Sequence, residues 1–206
     1  MKTAEKAPSL REQKKQAKLA AIEEAARSLF RSQGYAGTTT REIAERARIG
    51  VGTLFVYFPE KTDLLFYVFS QELERVASRA LDSIPEELEL VDALLHVFRQ
   101  IFAFYDEDHE LSRTFLKEYQ FGTGRVRDDF NEVTFGIVAR MGALVRDARA
   151  RGASLRPLDD FQAGYQFFAL YAFALQLWLG RAMPDRETAL LQLRLSLDLA
   201  VDGMRA

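Results

Sequence analysis

Residues 47–61 read A-R-I-G-V-G-T-L-F-V-Y-F-P-E-K. By composition the middle of this stretch is a β-strand, because Val51, Thr53, Phe55, Val56, Tyr57 and Phe58 are β-branched or aromatic. Periodicity points elsewhere. A strand would put Val51, Thr53, Phe55 and Tyr57 on one face and Gly52, Leu54, Val56 and Phe58 on the other. Both faces would be largely apolar, and nothing else in the chain offers a partner strand. A helix puts Val51, Leu54, Phe55 and Phe58 at i, i+3, i+4 and i+7, a core-facing stripe, and leaves Gly52, Thr53, Val56 and Tyr57 outside.

The residues just before it form a second short helix. Thr39 and Glu42 have the spacing of a capping box, and Ile43, Ala44 and Ala47 make one small apolar face. Helices at about 40–47 and 51–57, joined by Arg48-Ile49-Gly50, have helix-turn-helix spacing, in which the second helix enters the DNA major groove. Gly52 and Thr53 are small enough for close approach to bases, while Tyr57 and Lys61 have the length to reach phosphates. Lys61 also begins the next helix, where free N–H groups favour an anion. Arg41, Arg48 and, with less weight, Arg46 add positive charge. The charge distribution agrees: residues 1–61 hold 12 Lys+Arg and 7 Asp+Glu, a net +5, and the rest hold 16 and 23, a net −7.

Outward from this pair the chain is helical nearly throughout. Ser9 and Glu12 make another capping-box spacing, followed by Ile22, Ala25, Ala26, Leu29 and Phe30 at helical period and a stop at Gly34. A helix after Pro59 ends near Ser83, and Pro85 opens the next. The acidic run 106–110 reads as a connection. A helix through Phe115 and Tyr119 stops at 121–124, and a long one stops at Gly152. The last two are expected at about 159–183 and 185–203. The sum is an all-α chain of about nine helices, with a helix-turn-helix domain at 1–60 (1–8 a flexible tail) and a helical domain at 61–206. Lys2, Lys6, Lys14, Lys15 and Lys18 are either a solubilising tail or an arm for DNA.

Residues 30–65 resemble the DNA-binding domain of the TetR family of transcriptional regulators. The resemblance rests on Phe30, Gly34, Tyr35, Thr39, Ile43, Ala44, Ala47, Gly52, Thr53, Leu54, Tyr57, Phe58, Lys61 and Leu64. It implies a homodimer on a palindromic operator, repression of transcription, and a C-terminal pocket whose small-molecule effector releases DNA. On this resemblance and the helix faces together, the DNA surface is expected to comprise Thr39, Thr40, Arg41, Arg48, Val51, Gly52, Thr53, Phe55, Tyr57 and Lys61. The departures are Arg48 where the family usually has glycine, Gly50 for a capping serine, Phe55 for tyrosine, and Val56 for a basic residue or histidine. If the turn needs φ > 0, arginine at 48 costs about 1–2 kcal/mol.

The C-terminal domain is rich in aromatic residues. Most belong to the core, and a subset is expected to line an apolar effector pocket: His96, Phe98, Phe102, Phe115, Tyr119, Phe135, Phe168, Tyr171 and Trp178. Leucines nearly encircle the last helix, which suggests a partner subunit. Leu175, Leu179, Leu190, Leu193 and Leu197 are the expected dimer contacts, in an intermolecular four-helix bundle.

Catalysis has little support. The chain has no Walker A, H-E-x-x-H or G-x-G-x-x-G motif and no cysteine, and its histidines are His96 and His109 alone. No catalytic residue, metal or cofactor is expected. No apolar run reaches the ~18 residues needed to span a bilayer, so a cytoplasmic protein without a membrane partner is the default. The alternatives are a ligand-binding or scaffolding family member that has lost specific DNA binding and, more distantly, a helical-bundle enzyme.

Overall fold

Short polar side chains set the helix starts. Ser9, Thr39, Asp159 and Asp185 each adopt extended backbone and accept a hydrogen bond from the N–H three residues on, at Glu12, Glu42, Gln162 and Thr188. At Thr39 the box is reciprocal, because Glu42 accepts from the Thr39 N–H at 2.8 Å. Hydrogen bonds from the Thr39 side chain and backbone hold the Glu42 carboxyl below its ordinary range.

A computed structural model describes residues 9–121 and 125–206. Among them are nine helices: α1 Leu10–Gly37, α2 Thr40–Arg46, α3 Val51–Tyr57, α4 Lys61–Asp82, α5 Leu90–Asp106, α6 His109–Phe121, α7 Arg125–Ala150, α8 Asp160–Leu179 and α9 Arg186–Asp202. Their only β pairing is an isolated bridge between Leu155 and Arg205. No described helix is long and apolar enough to cross a membrane.

Some expected boundaries move. The backbone leaves helical geometry at Gly34, with φ 74°, and one further turn follows it. Pro85 does not open α5, which starts at Leu90; the Leu88 N–H donates to the Pro85 carbonyl and closes a turn instead. The acidic run 106–110 is not one connection. α5 runs through Asp106, and the Asp108 carboxylate accepts from the Leu111 N–H to cap α6. The stop expected at 121–124 falls largely on 122–124, outside the described residues.

The chain divides into two compact units, Met1–Val68 and Phe69–Ala206, and the division lies within α4. In the first, α2 packs on α1 and on α3, and Ile22, Ala26 and Phe30 of α1, Ile43 and Ala44 of α2 and Leu54 of α3 are buried. In the second, α5 packs on α7 and α9, and α8 packs on α7 and α9. The leucines expected at a subunit contact belong to this core. Leu175, Leu179, Leu190, Leu193 and Leu197 are all buried within the protomer, while Leu191, Leu195 and Leu199 of α9 are exposed. With leucine at 190, 191, 193, 195, 197 and 199, periodicity alone does not separate the two faces of α9.

α7 and α8 approach so closely that glycine is required at the contact. A Cβ on Gly164 would collide with the Val138 carbonyl, and one on Gly142 with the Asp160 carbonyl. Both obstacles are backbone, which cannot swing aside. Gly164→Ala is expected to destabilise by about 2–3 kcal/mol through overpacking. Gly136→Ala, where a Cβ meets nothing within 4 Å, is the control and should stabilise by about 0.5–1 kcal/mol. Urea denaturation of the two variants tests this, and equal midpoints would show that the α7–α8 contact yields.

Candidate nucleic-acid interface and ligand cavity

The turn between α2 and α3 is closed by two backbone bonds. The Arg48 N–H donates to the Glu45 carbonyl at 3.1 Å, and the Ile49 N–H to the Ala44 carbonyl at 3.0 Å. This is a Schellman motif, and its left-handed residue is Arg48, at φ 55°. Gly50 then stands at the N-cap of α3 without a side-chain bond.

α3 presents a small, uncharged surface. Leu54 is buried and Phe58, its C-cap, is buried behind it, whereas Phe55 is 43% exposed and Val56 81% exposed. Phe55 therefore leaves the core stripe that the i, i+4 pattern gave it, because a two-turn helix buries only the side it turns to its neighbour, α2. Gly52 is exposed, and Val51, Thr53 and Tyr57 are half-exposed beside it. Thr39 caps α2 and Thr40 is its first residue. Arg41 is exposed and pairs with Glu45 at 3.0 Å.

Lys61 takes a different place from the one its sequence position suggests. Its ammonium donates to the carbonyls of Tyr35 at 2.9 Å and Thr38 at 3.0 Å, and lies 4.2 Å from the Tyr35 ring centroid. Tyr35 also meets Thr62 through its hydroxyl. The ammonium is thus turned into the unit, where it joins the end of α1 to the start of α4, instead of outward to a phosphate.

The second unit contains an apolar cavity of about 90 Å³. Every helix from α4 to α8 contributes to its wall, among others through Leu73, Ile101, Phe115, Phe130, Met141 and Phe168. Phe115, Tyr119, Phe168 and Tyr171 from the expected set line it. Phe98, Phe102 and Trp178 do not line it: Phe98 stacks on Tyr171 at 4.9 Å and Phe102 on Trp178 at 5.2 Å, in the core behind. His96 bonds Ser83, just past the end of α4, and Gln100 on α5. Phe135 is 51% exposed beside Phe161. Sequence reading missed Tyr105, Phe130, Thr134, Ile137 and Met141. Their i, i+4 spacing along α7 from Phe130 to Thr134, and from Ile137 to Met141, was the available signal.

Polar groups in the cavity are few. Tyr105 and Tyr171 are buried, and burial first of all pushes both phenols upward, so both stay neutral and able to donate. Tyr119 donates to Asn131 at 3.1 Å. Among the described residues no group of His, Asp and Glu is arranged to hold a metal ion.

Two substitutions separate structure from DNA contact. Arg48→Gly removes about 1–2 kcal/mol of left-handed strain and adds back about 0.5–1 kcal/mol of unfolded-state entropy. A net gain near ~0.5 kcal/mol is expected in urea denaturation, and a loss would mean that the side chain stabilises the turn. Lys61→Met should cost about 2 kcal/mol of stability, the worth of charge-assisted bonds. It should leave the salt dependence of DNA binding unchanged. A drop of ~0.9 in that slope would return Lys61 to the phosphate contacts.

Residues 22–68 match the profile of the family "Bacterial regulatory proteins, tetR family". The chain is 25% identical over 191 residues to the fatty acid metabolism regulator protein of Bacillus subtilis (strain 168), covering 92% of this chain and 97% of that one. Among solved structures it is similar to FadR of Thermus thermophilus, a TetR-family transcriptional repressor crystallised with lauroyl-CoA. The TM-score is 0.74, the identity 24%, and the coverage 91% of this chain and 95% of the other. FadR of Bacillus subtilis, crystallised with stearoyl-CoA, aligns with TM-score 0.67 and 22% identity over 90% and 99% of the two chains. All three of these proteins are regulators. That profile lies across α2, the Arg48 turn and α3, and the chain shares the all-α fold of the Thermus protein.

Proposed function

We propose that the chain is a ligand-responsive repressor that binds a palindromic operator as a homodimer and is released from it by a long-chain acyl-CoA thioester. The observation that carries the DNA part is the exposed, uncharged outer face of α3 behind a fixed Schellman turn. A face of Gly52, Thr53, Phe55 and Val56 reads bases by the Thr53 hydroxyl and by apolar contact with thymine methyls. A mirrored pair of half-sites follows from the two-fold symmetry of a dimer. Leu191, Leu195 and Leu199 form an exposed stripe at i, i+4, i+8 on α9, a face of the kind a second copy would cover.

The acyl-CoA class is supported by the cavity's chemistry and by the ligands of the two FadR proteins. Its wall is almost entirely aliphatic and aromatic, with neutral tyrosine hydroxyls as the polar groups. About 90 Å³ is well short of the ~300–1,000 Å³ of a typical ligand site. An acyl chain would therefore enter by moving Phe115, Tyr119 and Phe168. Leu73 in the wall and Lys61 at the anchor both lie on α4, so repacking of the first acts on the helix that holds the second.

A mobility-shift titration on the DNA flanking the chain's own gene tests this reading. The protein should form a sequence-specific complex that lauroyl-CoA or stearoyl-CoA dissolves and free coenzyme A does not. A complex that persists at saturating acyl-CoA would overturn the effector class. Binding without preference over an unrelated duplex would overturn the operator reading.

A further inference from the structure

The first part of α1 has no packing reason to be a helix. Its first buried side chain is Ile22, and residues 10–21 contribute none. At about 1.5 Å per residue this is a rod of roughly 18 Å beyond the packed part. It holds because it continues a helix already nucleated below it. Leu, Arg, Glu, Gln, Lys and Ala favour helix, Ser9 caps it, and Glu12 pairs with Lys15 at 3.9 Å.

Its charges work against helix formation. Residues 10–21 carry Arg11, Lys14, Lys15 and Lys18 against Glu12, a net of 4 − 1 = +3. They crowd the end of the helix that is already positive, where cations are disfavoured. Arg11, Lys14, Lys15 and Lys18, with Glu12 among them, line a cleft of about 810 Å³ that also reaches Tyr57, the last residue of α3. The cleft is therefore continuous with the surface that would read bases.

The first unit has a matching need. Phosphate neutralisation supplies most of the affinity of a DNA-binding protein. Yet α3 carries no charged residue, Lys61 is turned inward and Arg41 pairs with Glu45, which leaves Arg46 and Arg48 as the exposed cations beside α3. From these observations, and resting on the DNA-binding reading above, we infer that residues 10–21 are a backbone clamp. Arg11, Lys14, Lys15 and Lys18, with the Tyr57 hydroxyl, seat the phosphates of duplex DNA in the cleft while α3 lies in the major groove. This selects the arm over the solubilising tail for the part of the basic segment that the structure describes. The clamp contributes affinity without sequence preference.

The test uses the full chain with Arg11, Lys14, Lys15 and Lys18 replaced together by Gln, which keeps helix propensity; circular dichroism verifies the helix. Affinities for the gene-flanking duplex and for an unrelated duplex of equal length are measured across a salt series. The variant should lose affinity for both by the same factor, at least ~10-fold at 0.1 M salt, and the slope of log K against log salt should shrink by up to ~3.6, about 0.9 for each phosphate lost. Tyr57→Phe should weaken both duplexes slightly and leave the slope alone. An unchanged slope in the Gln variant overturns the clamp even if specific binding is intact. If the unaltered protein shows no preference between the duplexes, the operator reading falls, and the slope still decides for or against the clamp. If it binds neither duplex, both fall.

Discussion

Lys61 donates to the Tyr35 and Thr38 carbonyls across 26 and 23 residues of chain, and with that bond the first helix, the turn after it and the fourth helix become one unit. The carbonyls are there because Gly34 breaks α1, which frees backbone acceptors at its end. Thr38 then donates its hydroxyl back to the Gly34 carbonyl, and Thr39 starts the next helix. Without a cation at this junction, half-buried acceptors would lose their partner, at about 1–3 kcal/mol for each group left unsatisfied. The orientation of α2, and through the Schellman turn that of α3, is built on this junction. The lysine whose sequence position suggests a phosphate contact is therefore explained by the structure as the tie that places α2 and α3.

The second unit is organised by a different constraint. Gly142 and Gly164 bring α7 and α8 to backbone contact, and Arg146 and Arg149 clamp the start of α8 through Asp160, each at 2.8 Å. Close approach at this end fixes where the side chains further along both helices point. Met141, Ile137, Thr134 and Phe130 on α7 and Phe168, Tyr171 and Leu175 on α8 then face one apolar cavity. Small residues make the contact and large ones surround the space beside it. Phe69, stacked on Phe115 at 3.9 Å, closes the aromatic cluster from α4.

What was legible in the sequence is what a few neighbouring residues decide. The Thr39–Glu42 box, the break at Gly34, Gly50 as a cap and the span of α3 depend on bonds within about four residues, and all stand in the structure. Arg48 in the left-handed region follows from the same local logic. What was not legible depends on partners distant in the chain. Lys61 could not be placed without knowing that Tyr35 and Thr38 end beside it. Leu190 and Leu191 are indistinguishable until α5 and α8 choose which side of α9 they cover. Composition identified an aromatic domain, but which rings line a cavity and which fill the core is decided by how α5 to α8 pack. That is why Phe115 and Tyr119 were found and Tyr105 and Phe130 were not.

The departures of α3 from the usual pattern of the family it resembles acquire a physical sense when set against α1. Phe55 and Val56 take away polar and basic groups that would bind phosphate, and they leave a face whose information is shape and apolar contact. Such a face discriminates among bases but adds little long-range attraction, since only charge acts beyond contact distance. The cations of residues 10–21 stand one cleft away from Tyr57, on a rod whose own stability they lower. On the proposed DNA-binding function, discrimination and attraction fall to different helices of one unit. The rod keeps its form only while Ile22, Ala25 and Ala26 at its root stay packed, so the geometry of attraction depends on the same core that orients the reading helix.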